Sequence, residues 1–483
     1  MATESNVTVA AESSADHELH ALLACQKKAF ASDINPDHAT RMDRLNRLER
    51  LLERDAEPLA DLIARDFGTR SRTMTAIGET VVLRSAIRHA RRHLKTWMKP
   101  RRQGTGMAYR TGRSRLLRQP LGVVGIIGPW NYPLQLLVAP LVGALAAGNR
   151  AILKPSEITP LFAEALKHSV QAFFSADEVA VVTGDANVGR IFSSLPFDHL
   201  MFTGSTAVGR LVAQATAKNL TPVTLELGGK SPAIIDASCD LAQATERLAW
   251  GKLLNSGQTC IAPDYALVPR PQLHAFVEAV QASITKQYPS IVANPDYTSI
   301  VNARHYQRLR GLVEDARSRG ARVIELNPAS ETLDVTTRKL PPTLLLDVKD
   351  EMQVMREEIF GPLLPIVAYD TLDDAIAYVN ERDRPLALYW FGTDRAHRER
   401  VLAHTLSGGV TINDTMMHIA QEDLPFGGVG PSGQGHYHGE FGFRTFSKEK
   451  PVFIQGRFST GRLVYPPYTS STDRVLRLLL RWA

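Results

Sequence analysis

The sequence predicts an α/β protein in which a doubly wound parallel sheet is followed by a second α/β domain. Two observations predict it. From Leu121 onward, short apolar runs alternate with helical stretches, the pattern of parallel strands joined by crossover helices. The chain is also 483 residues long, more than one compact core holds, so two or three domains are expected.

The elements follow in order. From about Ala21 to Arg102 the pattern is helical, with Leu45, Leu48, Leu51 and Leu52 forming an apolar stripe among arginines and glutamates. The basic stretch Arg91 to Arg102 reads as a solvated helix face. Leu121–Ile127 reads as a buried strand, and Pro133–Ala147 as a helix that Gly148 ends. Strands at Ala151–Leu153, Val179–Val182 and His199–Phe202 alternate with helices, the last leading into a helix over Thr206–Lys218. A second set starts near Ser231-Pro232-Ala233-Ile234-Ile235, passes Cys260 and ends near Asn413. In such sheets ligands bind beyond the carboxyl ends of the strands.

Composition narrows the function. A 44% apolar and 22% charged chain is an ordinary globular protein, and a net charge of +6 gives little support to nucleic-acid binding. Three cysteines, Cys25, Cys239 and Cys260, cannot form a disulfide framework and point to a reducing, cytoplasmic setting. No Cys-x-x-Cys occurs, and the pairs His89/His93 and His436/His438 have no cysteine partners, so no metal site is expected. The first twenty residues are polar and acidic, without an apolar signal core.

Two segments suggest chemistry. Cys260 ends Asn255-Ser256-Gly257-Gln258-Thr259-Cys260, and Glu226 opens Glu226-Leu227-Gly228-Gly229-Lys230, 34 residues earlier. A thiol and a carboxyl group beside tight glycine turns suggest a nucleophile and a base. Cys25 and Cys239 read as small buried hydrophobes. Upstream, Phe202-Thr203-Gly204-Ser205-Thr206-Ala207-Val208-Gly209 follows a strand and opens a helix, where backbone N–H groups can receive a phosphate. The spacing is not Gly-x-Gly-x-x-Gly, so plain turn punctuation stays open. Lys154-Pro155-Ser156-Glu157 places an ammonium and a carboxylate at a strand end, suited to ribose hydroxyls or to a surface ion pair.

Taken together, Pro129-Trp130-Asn131-Tyr132-Pro133, Lys154–Glu157, Gly204–Gly209, Glu226–Lys230, Gly257–Cys260, Glu357-Glu358-Ile359-Phe360-Gly361-Pro362 and Pro425-Phe426-Gly427-Gly428 resemble the aldehyde dehydrogenase superfamily. The resemblance runs from about Leu23 to Phe446. Tyr132, Gln434-Gly435-His436-Tyr437-His438-Gly439 and Tyr465-Pro466-Pro467-Tyr468 favour the branch of class 3, fatty and bacterial coniferyl aldehyde dehydrogenases, with the coniferyl type the nearest likeness.

The resemblance implies a three-part architecture: an NAD(P)-binding domain (1–98 and 120–226), a catalytic domain (227–418), and a small β oligomerisation region (99–119 and 419–483, with the C-terminal tail). It implies Cys260 as nucleophile, Glu226 as base, and Asn131 with the Cys260 backbone N–H as donors to the oxyanion. Lys154, Glu157, Gly204, Ser205, Gly209, Glu358 and Phe360 would hold NAD or NADP, with NAD favoured because Glu157 repels a 2′-phosphate. The substrate would be an aldehyde, aromatic or alternatively fatty, and the partner a second copy of the chain. A coenzyme A-acylating enzyme is disfavoured by Glu226, and a cysteine hydrolase by the lack of a histidine motif beside Cys260. From Asp473 to Ala483, Arg474, Arg477 and Arg481 share one helical face, which suggests a tail packed on the protein or touching a membrane surface weakly.

Overall fold

The computed structural model describes residues 2–459, 461–462 and 465–482, so Ala483 of the tail lies outside the described residues. Two large, mainly parallel sheets and one small antiparallel sheet organise them. The first large sheet runs Gly433–Gln434, Val223–Glu226, His199–Thr203, Val123–Ile127, Arg150–Lys154, Val179–Val181. All its pairs are parallel except the first, where Gly433 faces Glu226. The strand order reverses around Val123–Ile127, the switch point at which a crevice opens in doubly wound sheets. The second sheet runs Arg322–Glu325, Thr343–Leu346, Leu363–Tyr369, Tyr265–Pro269, Pro232–Ile235, Ala387–Phe391, Gly409–Ile412, with only Arg322–Glu325 antiparallel.

Both sheets form because their central strands are short, apolar and buried on both faces, as the sequence pattern implies, while the edge strands Arg322–Glu325 and Gly409–Ile412 are partly exposed. The expected strands lie within about two residues of their reading. The helix Gln135–Ala147 is buried nearly all round, packed against the helices His38–Phe67, Val82–Trp97 and Gly439–Thr445. It ends where expected. Gly148 takes φ 94°, a left-handed value that glycine adopts without strain. A Cβ there would also lie 2.8 Å from the Arg41 guanidinium. Buried Arg41 donates to Ala147 O at 2.7 Å and Ala146 O at 3.2 Å, a cation satisfying the helix's last carbonyls.

Two expectations change. The N-terminal helix runs from Ala2 to Ser32, beginning well before Ala21, because neither proline nor glycine interrupts that stretch. The basic stretch is not all helix. The helix Val82–Trp97 stops, and Arg101–Gln103 becomes an edge strand of the antiparallel sheet with Arg113–Pro120 and Ser447–Ile454. Its partner strand buries little and is rich in arginine, so neither strand carried an apolar signal.

Candidate active site

A cavity of about 870 Å³ opens at the carboxyl edge of the first sheet and is closed on its far side by loops of the second. It brings together seven residues singled out in the sequence: Asn131, Gly204, Ser205, Glu226, Cys260, Glu358 and Phe360. Three strand ends converge there. Val123–Ile127 leads into Pro129–Asn131, His199–Thr203 into the Gly204 turn, and Val223–Glu226 ends on Glu226 itself.

Cys260 is presented by an unusual loop. Asn255, Ser256 and Gly257 take φ 53°, 52° and 74°, three left-handed residues in succession. For Asn and Ser this costs of order 1–3 kcal/mol each, so the surroundings must impose it. They do. Ser256 Oγ donates to Thr298 O, and Gln258 Nε2 donates to Asn255 O at 3.0 Å and Ser299 O at 3.1 Å. The Gln258 side-chain oxygen accepts from Val301 N at 2.9 Å. Gly257 is obligatory, since a Cβ would sit 2.2 Å from Gly361 O. Cys260 is half-buried and lines the cavity wall. Burial first, then the carboxyls of Glu358 and Glu226, push it up to about 12, so it stays protonated until a base acts.

Asn131 is fixed to that same loop. Its side-chain amide donates to Gln258 O at 3.1 Å, using one of two N–H bonds, while its carbonyl accepts from Asn255 Nδ2 at 3.2 Å. Its carbonyl also accepts from Arg70 Nη1 at 2.5 Å. Arg70 forms a fully buried ion pair with Glu79 at 2.6 Å, and Glu79 in turn accepts the Leu134 and Gln135 N–H groups at 2.8 and 3.0 Å. Tyr132 completes the lattice, its ring under Arg70 and its hydroxyl 2.9 Å from Thr259 Oγ1. Nothing in the sequence marks Arg70 or Glu79, which stand in a charge-rich helical stretch.

The carboxyls differ from this. Glu226 is 2% exposed, neither oxygen has a hydrogen-bond partner among the described residues, and burial alone raises it well above its ordinary 4.5. Glu358 is raised to about 8, first by burial and then by Asp264, while the Gly229 N–H and Lys230 partly offset this. A Cβ on Gly228 would lie 2.3 Å from its oxygens, so a side chain there would displace the carboxyl. The backbone beneath is pinned: Lys230 pairs with Asp264 and donates to Glu357 O at 2.9 Å, and Arg308 donates to Glu358 O at 3.3 Å. Phe360, at φ 51°, sets its ring 5.3 Å from Trp130, which also meets the His305 ring at 5.1 Å. Burial takes His305 down to about 4, leaving it neutral. Trp130 lay within a motif already noted, but His305 carried no signal.

The dinucleotide-side residues divide. Ser205 caps the helix Thr206–Ala217, accepting from Val208 N at 3.3 Å, so the first N–H groups of that helix open toward the cavity. A side chain at Gly204 would strike the Phe202 ring at 2.6 Å. Lys154, Glu157 and Gly209 are not on the cavity lining. Lys154 ends its strand on the same carboxyl edge, is pushed down by burial, and sits 3.9 Å from exposed Glu157. Gly209 lies inside the helix, where a Cβ would meet Leu227 at 2.6 Å, so a glycine there lets helix and loop pack closely. An anion-receptive helix start, a carboxyl within the cavity wall and room for a large ligand fit a nicotinamide dinucleotide.

A thiol, a carboxyl and an amide donor on the wall of a dinucleotide-sized cleft fit an oxidoreductase. The chain matches the model of the aldehyde dehydrogenase family over residues 2–452, and it belongs to that family. It is 50% identical over 466 residues to a probable coniferyl aldehyde dehydrogenase of Pseudomonas aeruginosa, covering 96% of this chain and 97% of that protein. It is 46% identical to the coniferyl aldehyde dehydrogenase of Pseudomonas sp. strain HR199, covering 96% of each. Among solved structures it resembles the substrate-bound state of Staphylococcus aureus AldH, with TM-score 0.89 and 37% identity, covering 95% of this chain and 98% of that one. It is therefore an NAD(P)-dependent aldehyde dehydrogenase.

Proposed function

We propose that the enzyme oxidises an aromatic aldehyde of the coniferyl type to the carboxylic acid through a covalent intermediate on Cys260. The observation that carries this reading is that Cys260, Glu226 and Asn131 share one cavity with the Gly204–Ser205 helix start. The names of the 50% and 46% identical relatives support the aromatic substrate.

Glu226 takes the proton of the Cys260 thiol, and Sγ attacks the aldehyde carbon. The oxyanion that forms accepts from the second N–H of the Asn131 amide and from the Cys260 backbone N–H. Gly204, Ser205, Gly209, Lys154, Glu157, Glu358 and Phe360 would hold NAD or NADP, which when bound supplies an acceptor for the hydride leaving the substrate carbon. The product on Cys260 is then a thioester. Glu226 takes a proton from water, the water oxygen attacks the acyl carbon, and the C–S bond breaks to return the thiolate. A carboxyl at position 226 favours water over coenzyme A as acyl acceptor.

The same reading assigns 1–98 with 120–226 to cofactor binding, 227–418 to catalysis, and 99–119 with 419–483 to contact between two copies. The edge strand Ser447–Ile454, with Phe453 and Ile454 exposed, supports a homodimer. Among the described residues no helix is long and apolar enough to cross a membrane. We assign a cytoplasmic enzyme, with the helix Ser470–Trp482 resting on the protein or its partner rather than on a membrane.

The test is NADH and NADPH formation with coniferyl aldehyde, benzaldehyde and medium-chain aliphatic aldehydes, ranked by kcat/KM, for wild type and Cys260→Ala. Wild type should rank coniferyl aldehyde first, and the variant should lose at least about four orders of magnitude. Unchanged turnover in the variant sinks the mechanism, and an aliphatic aldehyde ranked first sinks the substrate.

A further inference from the structure

On the reading above Glu226 must be ionised to take the Cys260 proton. Yet it is 2% exposed, and neither oxygen has a hydrogen-bond partner among the described residues. Water in the open cavity can serve the ionised form. Once aldehyde and dinucleotide fill that space, the protein has to supply the donor itself.

The sheet places one beside it. Thr203 and Glu226 are register partners at the ends of neighbouring parallel strands, and the Gly204 N–H donates to Glu226 O at 3.0 Å, holding those ends together. Side chains alternate between the two faces of a strand. Leu200 and Phe202 join Leu225 and Leu227 in one apolar cluster, so Thr203 shares the opposite face with His199, Thr224 and Glu226. Lower on that face His199 Nε2 lies 3.0 Å from Thr224 Oγ1, a hydrogen bond across the same two strands. Thr203 and Glu226 thus stand side by side at the strand spacing of about 4.8 Å. On its other flank Glu226 faces Gly433, which admits no side chain, since a Cβ would sit 2.5 Å from Leu225 O.

Thr203 also lacks a partner. It is 7% exposed, and its hydroxyl is buried without a hydrogen bond among the described residues. A buried hydroxyl left alone needs a reason. Three hydroxyl side chains line the cavity, those of Thr203, Ser205 and Thr206. Ser205 Oγ accepts from Val208 N at 3.3 Å and Thr206 Oγ1 donates to Pro431 O at 3.2 Å, which leaves Thr203 unengaged. The other titratable groups around Glu226 are Cys260, on which Glu358 also acts, and Tyr437. Tyr437 is off the cavity lining, and its hydroxyl meets the Gln135 side chain.

We propose that Thr203 is a positioning residue whose hydroxyl donates to the Glu226 carboxylate during turnover and aims it at the Cys260 thiol. Thr203 keeps its own proton throughout. A hydroxyl both donates and accepts, so it partners the carboxyl in either charge state, and its bond to the charged form is the stronger. Losing it therefore makes the base harder to ionise.

The proposal rests on Glu226 as base, and first-turnover kinetics separates the two. Full-length enzyme in excess over the aldehyde that wild type ranks first, with saturating NAD, is followed for NADH formation across neutral and alkaline pH. In wild type the rate should rise with pH as the base ionises. Thr203→Val keeps the shape and loses the hydroxyl. It should carry that rise about one unit higher, slowing NADH formation about tenfold on the acid limb and converging with wild type at alkaline pH. Thr203→Ser should restore the wild-type profile, and NAD affinity, read by tryptophan fluorescence, should be unchanged in both. An unmoved limb in Thr203→Val, a Ser variant as slow as the Val variant, or a loss confined to NAD affinity overturns the role of Thr203. Thr203→Ala replaces the Val variant if that does not fold. In Glu226→Gln the rate should collapse, and adding Thr203→Val should slow it no further. A Glu226→Gln enzyme as fast as wild type overturns instead the reading of Glu226.

Discussion

The proposed nucleophile and the proposed base are held in opposite ways. Cys260 stands on a loop of three left-handed residues tied by the side chains of Asn255, Ser256 and Gln258, and the Asn131 segment is tied to that loop in turn. Glu226 ends a strand with neither oxygen hydrogen-bonded among the described residues. The difference follows from their tasks. A nucleophile and an oxyanion donor lose rate when displaced by fractions of an ångström, so the fold over-determines them. A base that must take and release protons twice gains nothing from hydrogen bonds that hold it in one charge state, and burial without partners leaves it poised to accept.

The largest way to break this contrast is to cut the lattice under the rigid side. Glu79→Ala leaves Arg70 as an unpaired buried cation and orphans the Leu134 and Gln135 N–H groups. Breaking a buried pair from one side costs about 3–5 kcal/mol. Urea unfolding should show that loss, and surviving activity should fall in kcat because the Asn131 carbonyl loses its anchor. Glu79→Gln, which keeps an acceptor for the helix N–H groups, should lose less. An Ala variant as stable as wild type would mean the pair holds nothing.

A smaller cut is at the oxyanion donor. Asn131→Ala should lower kcat by about a hundredfold to a thousandfold, roughly 2.7–4 kcal/mol of transition-state stabilisation, with KM for NAD little changed. Steady-state kinetics checks it. A variant that changed KM alone would place Asn131 in substrate binding.

The same contrast explains how much could be read beforehand. Cys260, Glu226 and Asn131 stood out because each adjoins a Gly or Pro turn that the backbone needs in order to present a side chain at a strand or helix end. The parallel strands stood out because they are apolar throughout. Arg70 and Glu79 were invisible: their burial is created by a short helix and a π-helical turn, Ala76–Val81, packing on the Asn131 segment, and local charge looks the same whether it ends in water or in the core. Gly209 shows a related limit. A glycine one turn into a helix can serve a ligand, a neighbouring side chain such as Leu227 here, or both. Arg113–Pro120 and Ser447–Ile454 were implied by the resemblance alone, because an antiparallel pair with half-exposed faces carries no run of apolar residues.

The smallest effect tests the poised carboxyl itself. Burial raises Glu226 in the folded protein well above 4.5, so the fold favours its neutral form. The linked stability is therefore full below the unfolded value and declines as pH rises through the folded one. Glu358, raised to about 8, adds a decline of the same sign between about 4.5 and 8. Glu226→Gln stays neutral throughout and should remove its own share of the decline. Melting temperatures of wild type and variant should lie close at about pH 5 and separate at about pH 8.5, with the variant higher. In the same variant kcat should collapse, because glutamine cannot accept the thiol proton. A protein stabilised at alkaline pH by the change that disables it would show that the loosely held side of the site keeps its carboxyl at a cost in stability. A variant that melted lower at about pH 8.5 would show instead that Glu226 finds a partner in solution.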